Sequence, residues 1–204
     1  MNVLAEAELW AGTRIGLLGG TFDPPHLGHL SMARVAREVL GLDRVLFSVS
    51  PHPPHKRAEA TGDYGRRVEM VQLAIAGADG IALTRIEEPH DPSYTADLLR
   101  ACHFRTRADL YFIIGADSLA ELPSWKDPAE IVRLATLVVF PRDHRPVFLG
   151  VPGDASLAVF EAPVIDVSSS GIRASIRAGE VPRGSLAPAV AAYIEQHGLY
   201  RDTQ

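Results

Sequence analysis

The chain has a single cysteine, Cys102, among its 204 residues. It therefore cannot form an internal disulfide, and a metal site built from several cysteines is excluded. Cys102 falls in a stretch with helical character, where burial as a small apolar side chain is favoured over a role as nucleophile. We expect a cytoplasmic setting, because this cysteine usage is typical of a reducing compartment.

The sequence also lacks an excess of positive charge and any long apolar run. Twenty Lys and Arg residues stand against 25 Asp and Glu residues, for a formal charge of −5. General nucleic-acid or anionic-membrane binders need net basic character, so neither partner is expected, and any polyanion must be held by a local cluster. No apolar run reaches the roughly 18 residues of a transmembrane helix. Residues 1–13 lack the basic and apolar regions of a signal peptide.

Apolar strand-like runs alternate with helix-like runs along the chain. Strands are predicted at 14–18, 44–49, 81–85, 110–114, 136–140 and 164–166, and helices at 27–40, 64–76, 95–104, 118–122, 128–134, 170–178 and 187–197. This alternation predicts a Rossmann-like α/β fold, with a doubly wound, mostly parallel sheet and helices on both faces. A hydrophobic content of 47% fits one domain, 1–204, with a small C-terminal helical part at about 168–204. The Pro- and Gly-rich stretch 142–156 is predicted to be an exposed excursion.

A glycine pair and two histidines lie between the first predicted strand and the first long helix. The segment is Gly19-Gly20-Thr21-Phe22-Asp23-Pro24-Pro25-His26-Leu27-Gly28-His29. Glycines let the backbone approach a ligand closely, and a helix N-terminus carries partial positive charge, so the segment suits a phosphate. His26 and His29 lie together on the first helical turn. Asp23 either caps this helix or joins the histidines as a zinc or iron ligand, but the glycine turn favours an anion.

A second segment with groups that suit phosphate occurs late in the chain. It is Val167-Ser168-Ser169-Ser170-Gly171-Ile172-Arg173. The hydroxyl cluster precedes a predicted helix, so it can cap that helix and donate to a phosphate, while Arg173 supplies a forked cation. A plain serine cap with a solvated arginine is the alternative interpretation.

A third segment is the loop Pro51-His52-Pro53-Pro54-His55-Lys56. Its prolines stiffen the chain, so that His55 and Lys56 are presented at low entropic cost, although an exposed basic loop is an equally simple interpretation. The loop follows a predicted strand, as do the first glycine segment, the turn Gly115-Ala116-Asp117 and the region of Arg142. Since ligands bind beyond the carboxyl ends of parallel strands, these segments should line one crevice.

Together these motifs resemble the phosphate-binding signatures of the nucleotidyltransferase superfamily, whose branches include the HIGH-type aminoacyl-tRNA synthetases. The closest resemblance, over nearly the whole chain, is to bacterial nicotinate mononucleotide adenylyltransferases. The serine segment is similar to the family's Ser-Ser-Thr-x-x-Arg signature, with Ser170 in place of threonine, and the proline loop is similar to its Pro-Pro-His-Lys element. Two further segments, 92–99 (PSYTADLL) and 114–125 (IGADSLAELPSW), resemble the family's elements beside the pyridine ring and the ribose.

The resemblance implies an enzyme that transfers AMP from ATP to nicotinate mononucleotide, giving nicotinate adenine dinucleotide and pyrophosphate in NAD biosynthesis. Mg²⁺ is implied as the cofactor, bound mainly through the ATP phosphates, with no metal held by the protein. The implied catalytic residues are His26, His29, Lys56 and Arg173. The implied ATP-binding residues are Gly19, Gly20, Thr21, Phe22, His26, His29, His55, Lys56, Gly115, Asp117, Arg142, Ser169, Ser170 and Arg173. The implied nicotinate mononucleotide-binding residues are Tyr94, Thr95, Trp125 and Lys126.

Several alternatives stay open at this point. A related adenylyltransferase could use nicotinamide mononucleotide or pantetheine phosphate instead, and Lys126 stands where some relatives have an aromatic residue. A non-catalytic nucleotide-binding protein and a metal-dependent hydrolase that uses the histidines are more remote. The expected assembly is a monomer or a homodimer.

Overall fold

A computed structural model of the chain describes residues 6–52, 62–87, 93–141, 155–160 and 167–201. Within these residues, six strands form one sheet in the order β3-β2-β1-β4-β5-β6, and all five pairings are parallel. The strands are β1 (Arg14–Gly20), β2 (Arg44–Val49), β3 (Ile81–Thr84), β4 (Asp109–Gly115), β5 (Thr136–Phe140) and β6 (Leu157–Val159). The helices are α1 (Glu6–Leu9), α2 (Leu27–Leu40), α3 (Tyr64–Ala74), α4 (Thr95–Arg105), α5 (Ala116–Glu121), α6 (Pro128–Leu134), α7 (Ser169–Arg177) and α8 (Pro188–His197). In this part of the chain, no helix combines the length and apolarity needed to cross a membrane.

Both faces of the sheet are covered by helices, as the prediction of a doubly wound α/β fold requires. Leu17 and Phe112 belong to one apolar cluster, which includes buried residues of α4, α5 and α6. Leu18 and Ile113, their neighbours in sequence, belong to a second cluster with buried residues of α2 and α3. Successive strand side chains point to opposite faces, so each central strand contributes to both cores. The predicted Rossmann-like architecture is therefore confirmed.

The bounds predicted for β2, β5, α2 and α6 agree with the structure. The first strand is longer than predicted, because Gly19 and Gly20 continue to pair with Ser48 and Val49 of β2. The glycine pair therefore belongs to the strand, and the turn lies after it. Helices α5 and α7 begin at Ala116 and Ser169, two residues and one residue earlier than predicted.

The short elements α1 and β6 are among those that were not predicted. Helix α1 has four residues and strand β6 has three, too few to show a periodic pattern. Strand β6 pairs with β5 in parallel and forms an edge of the sheet. The predicted strand 164–166 and most of the predicted excursion, residues 142–154, lie outside the described residues.

The C-terminal helices pack on the outer sides of α2 and α3. Their shared apolar cluster contains Leu30, Met70, Ala74, Ile172, Ile176, Leu186, Val190, Ala191 and Ile194. This packing brings the start of α7 next to the segment between β1 and α2. On the sheet itself, β1 leads to β2 on one side while β4 leads to β5 on the other, so the strand order reverses between β1 and β4. In such sheets the crevice beyond the carboxyl ends of the strands at this reversal is the usual ligand site.

Candidate functional site

The chain leaves β1 through a tight turn centred on Phe22. Phe22 lies in the left-handed region, with φ of 52°, although it is not a glycine. Its buried ring lies 5.2 Å from the ring of Phe47 and 4.9 Å, edge to face, from the ring of His29. A Cβ atom on Gly20 would come within 3.1 Å of the Phe22 ring, so a side chain at position 20 would disturb this packing. Such a backbone conformation in a non-glycine residue is uncommon and clusters at functional sites.

The two histidines form a stacked pair at the start of α2. His26 is the N-cap residue and is only 5% exposed. The ring centres lie 3.7 Å apart, and the backbone N–H of His26 donates to Nδ1 of His29 over 3.2 Å. Because Nδ1 of His29 accepts this bond, the neutral ring carries its proton on Nε2 and can donate there. The stacking and the cap fix the orientation of both rings.

Asp23 has a role that differs from the two predicted ones, a helix cap and a metal ligand. Its buried carboxylate accepts hydrogen bonds from the N–H of Gly62 at 3.0 Å and from the hydroxyl of Tyr200 at 2.6 Å. The cap prediction is wrong, since His26 holds the N-cap position of α2. Burial, together with the neighbouring Asp23 carboxylate, strongly raises the pKa of Tyr200.

Among the described residues, no group of three or more His, Cys, Asp or Glu side chains is arranged to hold a metal ion.

The serine segment both caps its helix and contacts the turn after β1. Ser168 is the N-cap of α7, and its hydroxyl accepts the N–H of Gly171 at 3.1 Å. The hydroxyl of the exposed Ser170 lies 3.2 Å from that of Ser168. The cap interpretation is therefore correct for Ser168.

Two hydrogen bonds join the start of α7 to the turn. The hydroxyl of Ser169 donates to the carbonyl oxygen of Pro24 at 2.9 Å. Arg173 donates from Nη1 to the carbonyl oxygen of Asp23, also at 2.9 Å. The residues in these pairs are 145 and 150 positions apart in sequence. The structure thus brings the first and second motifs together, with hydroxyl groups and a guanidinium beside the turn.

A second group of predicted residues meets at the start of α4. Tyr94 is the N-cap of α4 and Thr95 its first residue, and both are half-buried. The ammonium of Lys126 lies 4.7 Å from the centre of the Tyr94 ring and 2.9 Å from Oδ2 of Asp97. Burial raises the pKa of Asp97, but the opposing effects of Lys126 and Arg100 hold it below its ordinary value. A lysine, an aromatic ring and a carboxylate therefore meet at this helix end.

Trp125 lies next to this cluster, after the short 3₁₀ helix Leu122–Ser124. Its half-buried indole meets the ring of Phe112 edge to face, with 6.4 Å between ring centres. Gly115 ends β4 and is the N-cap of α5, and Asp117 is exposed in the first turn of α5. Because β4 pairs with β1, these residues lie at the same edge of the sheet as the turn. The predicted site residues His55, Lys56 and Arg142 lie outside the described residues.

Two residues that hold the turn in place were not predicted from the sequence. One is Tyr200, the hydroxyl partner of Asp23. The other is Arg67, which is 1% exposed and donates to backbone carbonyl groups on several segments. One signal could have indicated Arg67, because its spacing from Val71 and Ala74 places it on the apolar face of α3. Nothing in the local sequence links Tyr200 to a residue 177 positions away.

Comparisons with known proteins find similar sequences over most of this chain. The family model described as Cytidylyltransferase-like matches residues 17–175. The "Probable nicotinate-nucleotide adenylyltransferase" of Thermus thermophilus is 42% identical over 192 residues, covering 92% of this chain and 100% of the relative. The protein of the same name in Dehalococcoides mccartyi is 39% identical over 197 residues, covering 92% of this chain and 97% of the relative.

Solved structures support the same fold. The nicotinic acid mononucleotide adenylyltransferase of Plasmodium falciparum, complexed with NaAD, matches with a TM-score of 0.77 at 18% identity. The match covers 93% of this chain and 98% of that protein. The sequence similarity to the bacterial relatives extends over nearly the full length of this chain and of each relative. The chain therefore belongs to the nicotinate-nucleotide adenylyltransferase family.

Proposed function

We propose that the protein transfers AMP from ATP to nicotinate mononucleotide, giving nicotinate adenine dinucleotide and pyrophosphate for NAD biosynthesis. The observation that carries this proposal is the contact of α7 with the turn after β1, which gathers Ser169, Arg173 and the histidine pair in one place. The bacterial relatives are named for this reaction, and they match over nearly the whole chain. We further propose that the protein acts in the cytoplasm as a monomer or a homodimer.

The chemistry needs little acid–base help from the protein. The second pKa of a phosphate monoester is about 6, so the attacking phosphate of the mononucleotide is mostly a dianion at neutral pH. One of its oxygens forms a bond to the α-phosphorus of ATP, and the bond from that phosphorus to the bridging oxygen of the pyrophosphate breaks. No general base is required, and no covalent enzyme intermediate is formed. The protein must instead align two polyanions and stabilise the charge on the departing pyrophosphate.

We assign this stabilisation to His26, His29, Lys56 and Arg173. Nδ1 of His29 is occupied by the backbone of His26, so the donor of the neutral ring is Nε2. Arg173 is held by the turn itself, through the Asp23 carbonyl, which presets the position of its guanidinium. Fixed donors of this kind need no reorganisation when charge develops in the transition state.

The remaining predicted ATP contacts fall into three groups. Backbone and side-chain groups of the turn, Gly19, Gly20, Thr21 and Phe22, would face the phosphates. Donors from the other segments, His55, Arg142 and Ser170, would complete the phosphate site, together with the backbone of Ser169, whose hydroxyl donates to Pro24. Gly115 and Asp117 follow β4, where a carboxylate can accept hydrogen bonds from ribose hydroxyls.

Mg²⁺ is proposed as a partner of ATP. The described groups around the turn are chiefly N–H, hydroxyl, imidazole and guanidinium donors, which complement phosphate oxygens. Asp23, a buried carboxylate of the turn, is already engaged by Gly62 and Tyr200. Phosphate oxygens and water would therefore hold the ion, with no protein side chain assigned as a ligand. When bound, Mg²⁺ neutralises part of the triphosphate charge.

The second substrate is assigned to the cluster at the start of α4. The indole of Trp125 offers an aromatic face to a flat pyridine ring, and Tyr94 and Thr95 lie at the helix end beside it. The Lys126 ammonium, which also pairs with Asp97, supplies a cation beside the Tyr94 ring. A cation favours the nicotinate carboxylate over the neutral amide, which is why nicotinamide mononucleotide is the second candidate and not the first.

Turnover assays with ATP and each candidate acceptor test the proposal. Nicotinate mononucleotide should be converted fastest, ahead of nicotinamide mononucleotide and pantetheine phosphate, and EDTA should stop the reaction. With a chiral α-phosphorothioate analogue of ATP, direct attack predicts inversion at phosphorus. Net retention would rule out the direct mechanism, and no turnover with any acceptor would favour a nucleotide-binding protein without catalysis.

A further inference from the structure

Arg67 is a buried cation beneath the proposed phosphate site. It lies in the first turn of α3, is 1% exposed and is among the largest fully buried side chains of the described chain. Burial lowers the pKa of its guanidinium, and the nearby Asp23 carboxylate opposes that effect. A buried arginine is costly unless its donors are satisfied, so its partners indicate what it does.

The described hydrogen bonds of the Arg67 guanidinium go to backbone carbonyl oxygens. Nε donates to Gly62 at 2.9 Å, and Nη2 donates to Pro51 at 3.2 Å. Nη1 donates to both Thr21 at 2.8 Å and Ser50 at 2.9 Å. These acceptors belong to the turn after β1, the end of β2 and the approach to α3. One side chain therefore joins three segments at the carboxyl edge of the sheet.

The bond to Thr21 also orients the next amide group. Among the described residues, only the peptide bond Asp23-Pro24 is cis, so the bond between Thr21 and Phe22 is trans. In a trans peptide the C=O and N–H groups point in opposite directions. Since the Thr21 carbonyl points at Arg67, the N–H of Phe22 is turned away from the guanidinium. The same bond restrains Phe22, whose ring contacts His29.

We propose that Arg67 is a positioning residue for ATP, because it holds the turn after β1 in the conformation that presents the Phe22 amide and His29 to the phosphates. Arg67 is buried and reaches the substrate only through the turn. This inference rests on the proposed function, which places the ATP phosphates at this turn. It assigns a role in the reaction to a side chain that is itself removed from the reacting atoms.

The variant R67K separates the shape of the guanidinium from its charge. Arginine spreads its donors over a planar fork that reaches four carbonyl groups, whereas lysine concentrates three donors on a single atom. R67K therefore keeps a buried cation but loses part of the network. A displacement of the turn by about 1 Å is enough to lower turnover by about 10²-fold.

The experiment combines calorimetry with steady-state kinetics. We expect R67K to bind α,β-methylene-ATP about tenfold more weakly and to have a kcat lower by about 10²-fold. The KM for nicotinate mononucleotide should change less than about threefold, since the Lys126 cluster is on another segment. In a double-mutant cycle, H29A should cost less in the R67K background than in the wild type, because Arg67 acts partly through Phe22 and His29.

Two controls distinguish positioning from general destabilisation. L110A removes a buried side chain near the amino end of β4, away from the carboxyl edge, and should lower stability while it keeps kcat. R37K tests the same exchange at the half-buried Arg37, which pairs with the exposed Asp79 away from the turn, and should keep kcat and the analogue affinity.

The proposal is overturned if R67K keeps its analogue affinity and kcat, or if its losses in both match those of L110A at equal stability. It is also overturned if the effects of R67K and H29A are additive, or if R67K fails to fold. Failure of the proposed function is a separate outcome. In that case the wild type binds the analogue without turnover, and the affinity of R67K for the analogue still decides the role of Arg67.

Discussion

The hydrogen bond from Tyr200 to Asp23 offers the sharpest test of how the turn is supported. Tyr200 lies after α8, and its hydroxyl donates to the buried Asp23 carboxylate at 2.6 Å. The variant Y200F removes this donor and keeps the ring. A lost hydrogen bond to a buried charged acceptor costs about 1.5–3 kcal/mol of unfolding free energy. At about 2–4 °C per kcal/mol for a chain of this size, the melting temperature should fall by about 3–12 °C.

The chain provides a matched control in Tyr193. Its hydroxyl, on α8, donates to Glu69 of α3 at the protein surface. Glu69 is solvated, so Y193F exchanges this bond for one with water and should cost less than about 1 kcal/mol. Both variants remove one hydroxyl from a tyrosine in the C-terminal segment, and they differ mainly in the burial of the acceptor.

Urea unfolding followed by tryptophan fluorescence, together with thermal melts, measures both variants against the wild type. We expect Y200F to be less stable than Y193F by at least about 1 kcal/mol. The KM for ATP should also rise in Y200F, because Asp23 belongs to the turn that contacts Arg173. Equal destabilisation of the two variants would show that the Asp23 contact contributes nothing beyond a surface hydrogen bond, and would refute this reasoning.

Three further predictions concern the site and its surroundings. H29A should lower kcat by about 10²–10⁴ with an unchanged fold, as expected for loss of a positioned donor, measured by steady-state kinetics. K126M should raise the KM for nicotinate mononucleotide by about tenfold and leave the KM for ATP unchanged, because one charged contact is lost. Burial raises the pKa of Glu87 to about 7, so the folded protein favours the neutral carboxyl. The stability that goes with the neutral form is fully present below about pH 4.5, and it is lost as the pH rises through 7. The advantage of E87Q over the wild type in urea unfolding should therefore grow by up to about 3 kcal/mol between pH 5 and 8.

Each of these variants has a control on the same chain. H103A removes an exposed histidine at the end of α4 and should keep kcat. R133M removes an exposed cation on α6 that pairs with Glu130, and should leave both KM values unchanged. E38Q changes an exposed carboxyl on α2 and should leave the pH dependence of stability as in the wild type. Parallel effects in a variant and its control would contradict the corresponding prediction.

The main elements of the fold could be predicted because their signals are local. The strands β2 and β5 are short apolar runs rich in β-branched residues, and their bounds agree with the structure. The alternation of strands and helices was enough to predict a parallel sheet covered on both faces. Short elements such as β6 have no such signal, since three residues cannot show a period. Their position depends on the neighbouring strand.

The candidate site could be predicted only in part. The spacing of His26 and His29 placed them on one helical turn, and their rings do stack there. The turn itself was misassigned to the glycine pair, because strand pairing with β2 extends β1 through Gly20 and shifts the bend to Phe22. The role of Asp23 was also missed, because its partners Gly62 and Tyr200 are distant in sequence.

The sequence by itself determined the order of the main elements, the placement of the two histidines on one helical turn and the family, since periodicity, caps and motif spacing are properties of neighbouring residues. Only the tertiary structure decided which distant groups meet. The contacts of Arg173 and Tyr200 with Asp23 join residues 150 and 177 positions apart, and they form because α7 and α8 bury their apolar faces against α2 and α3. The burial of Arg67 has the same origin. Its charge is visible in the sequence, but its carbonyl partners come from three segments that only the folded sheet brings together.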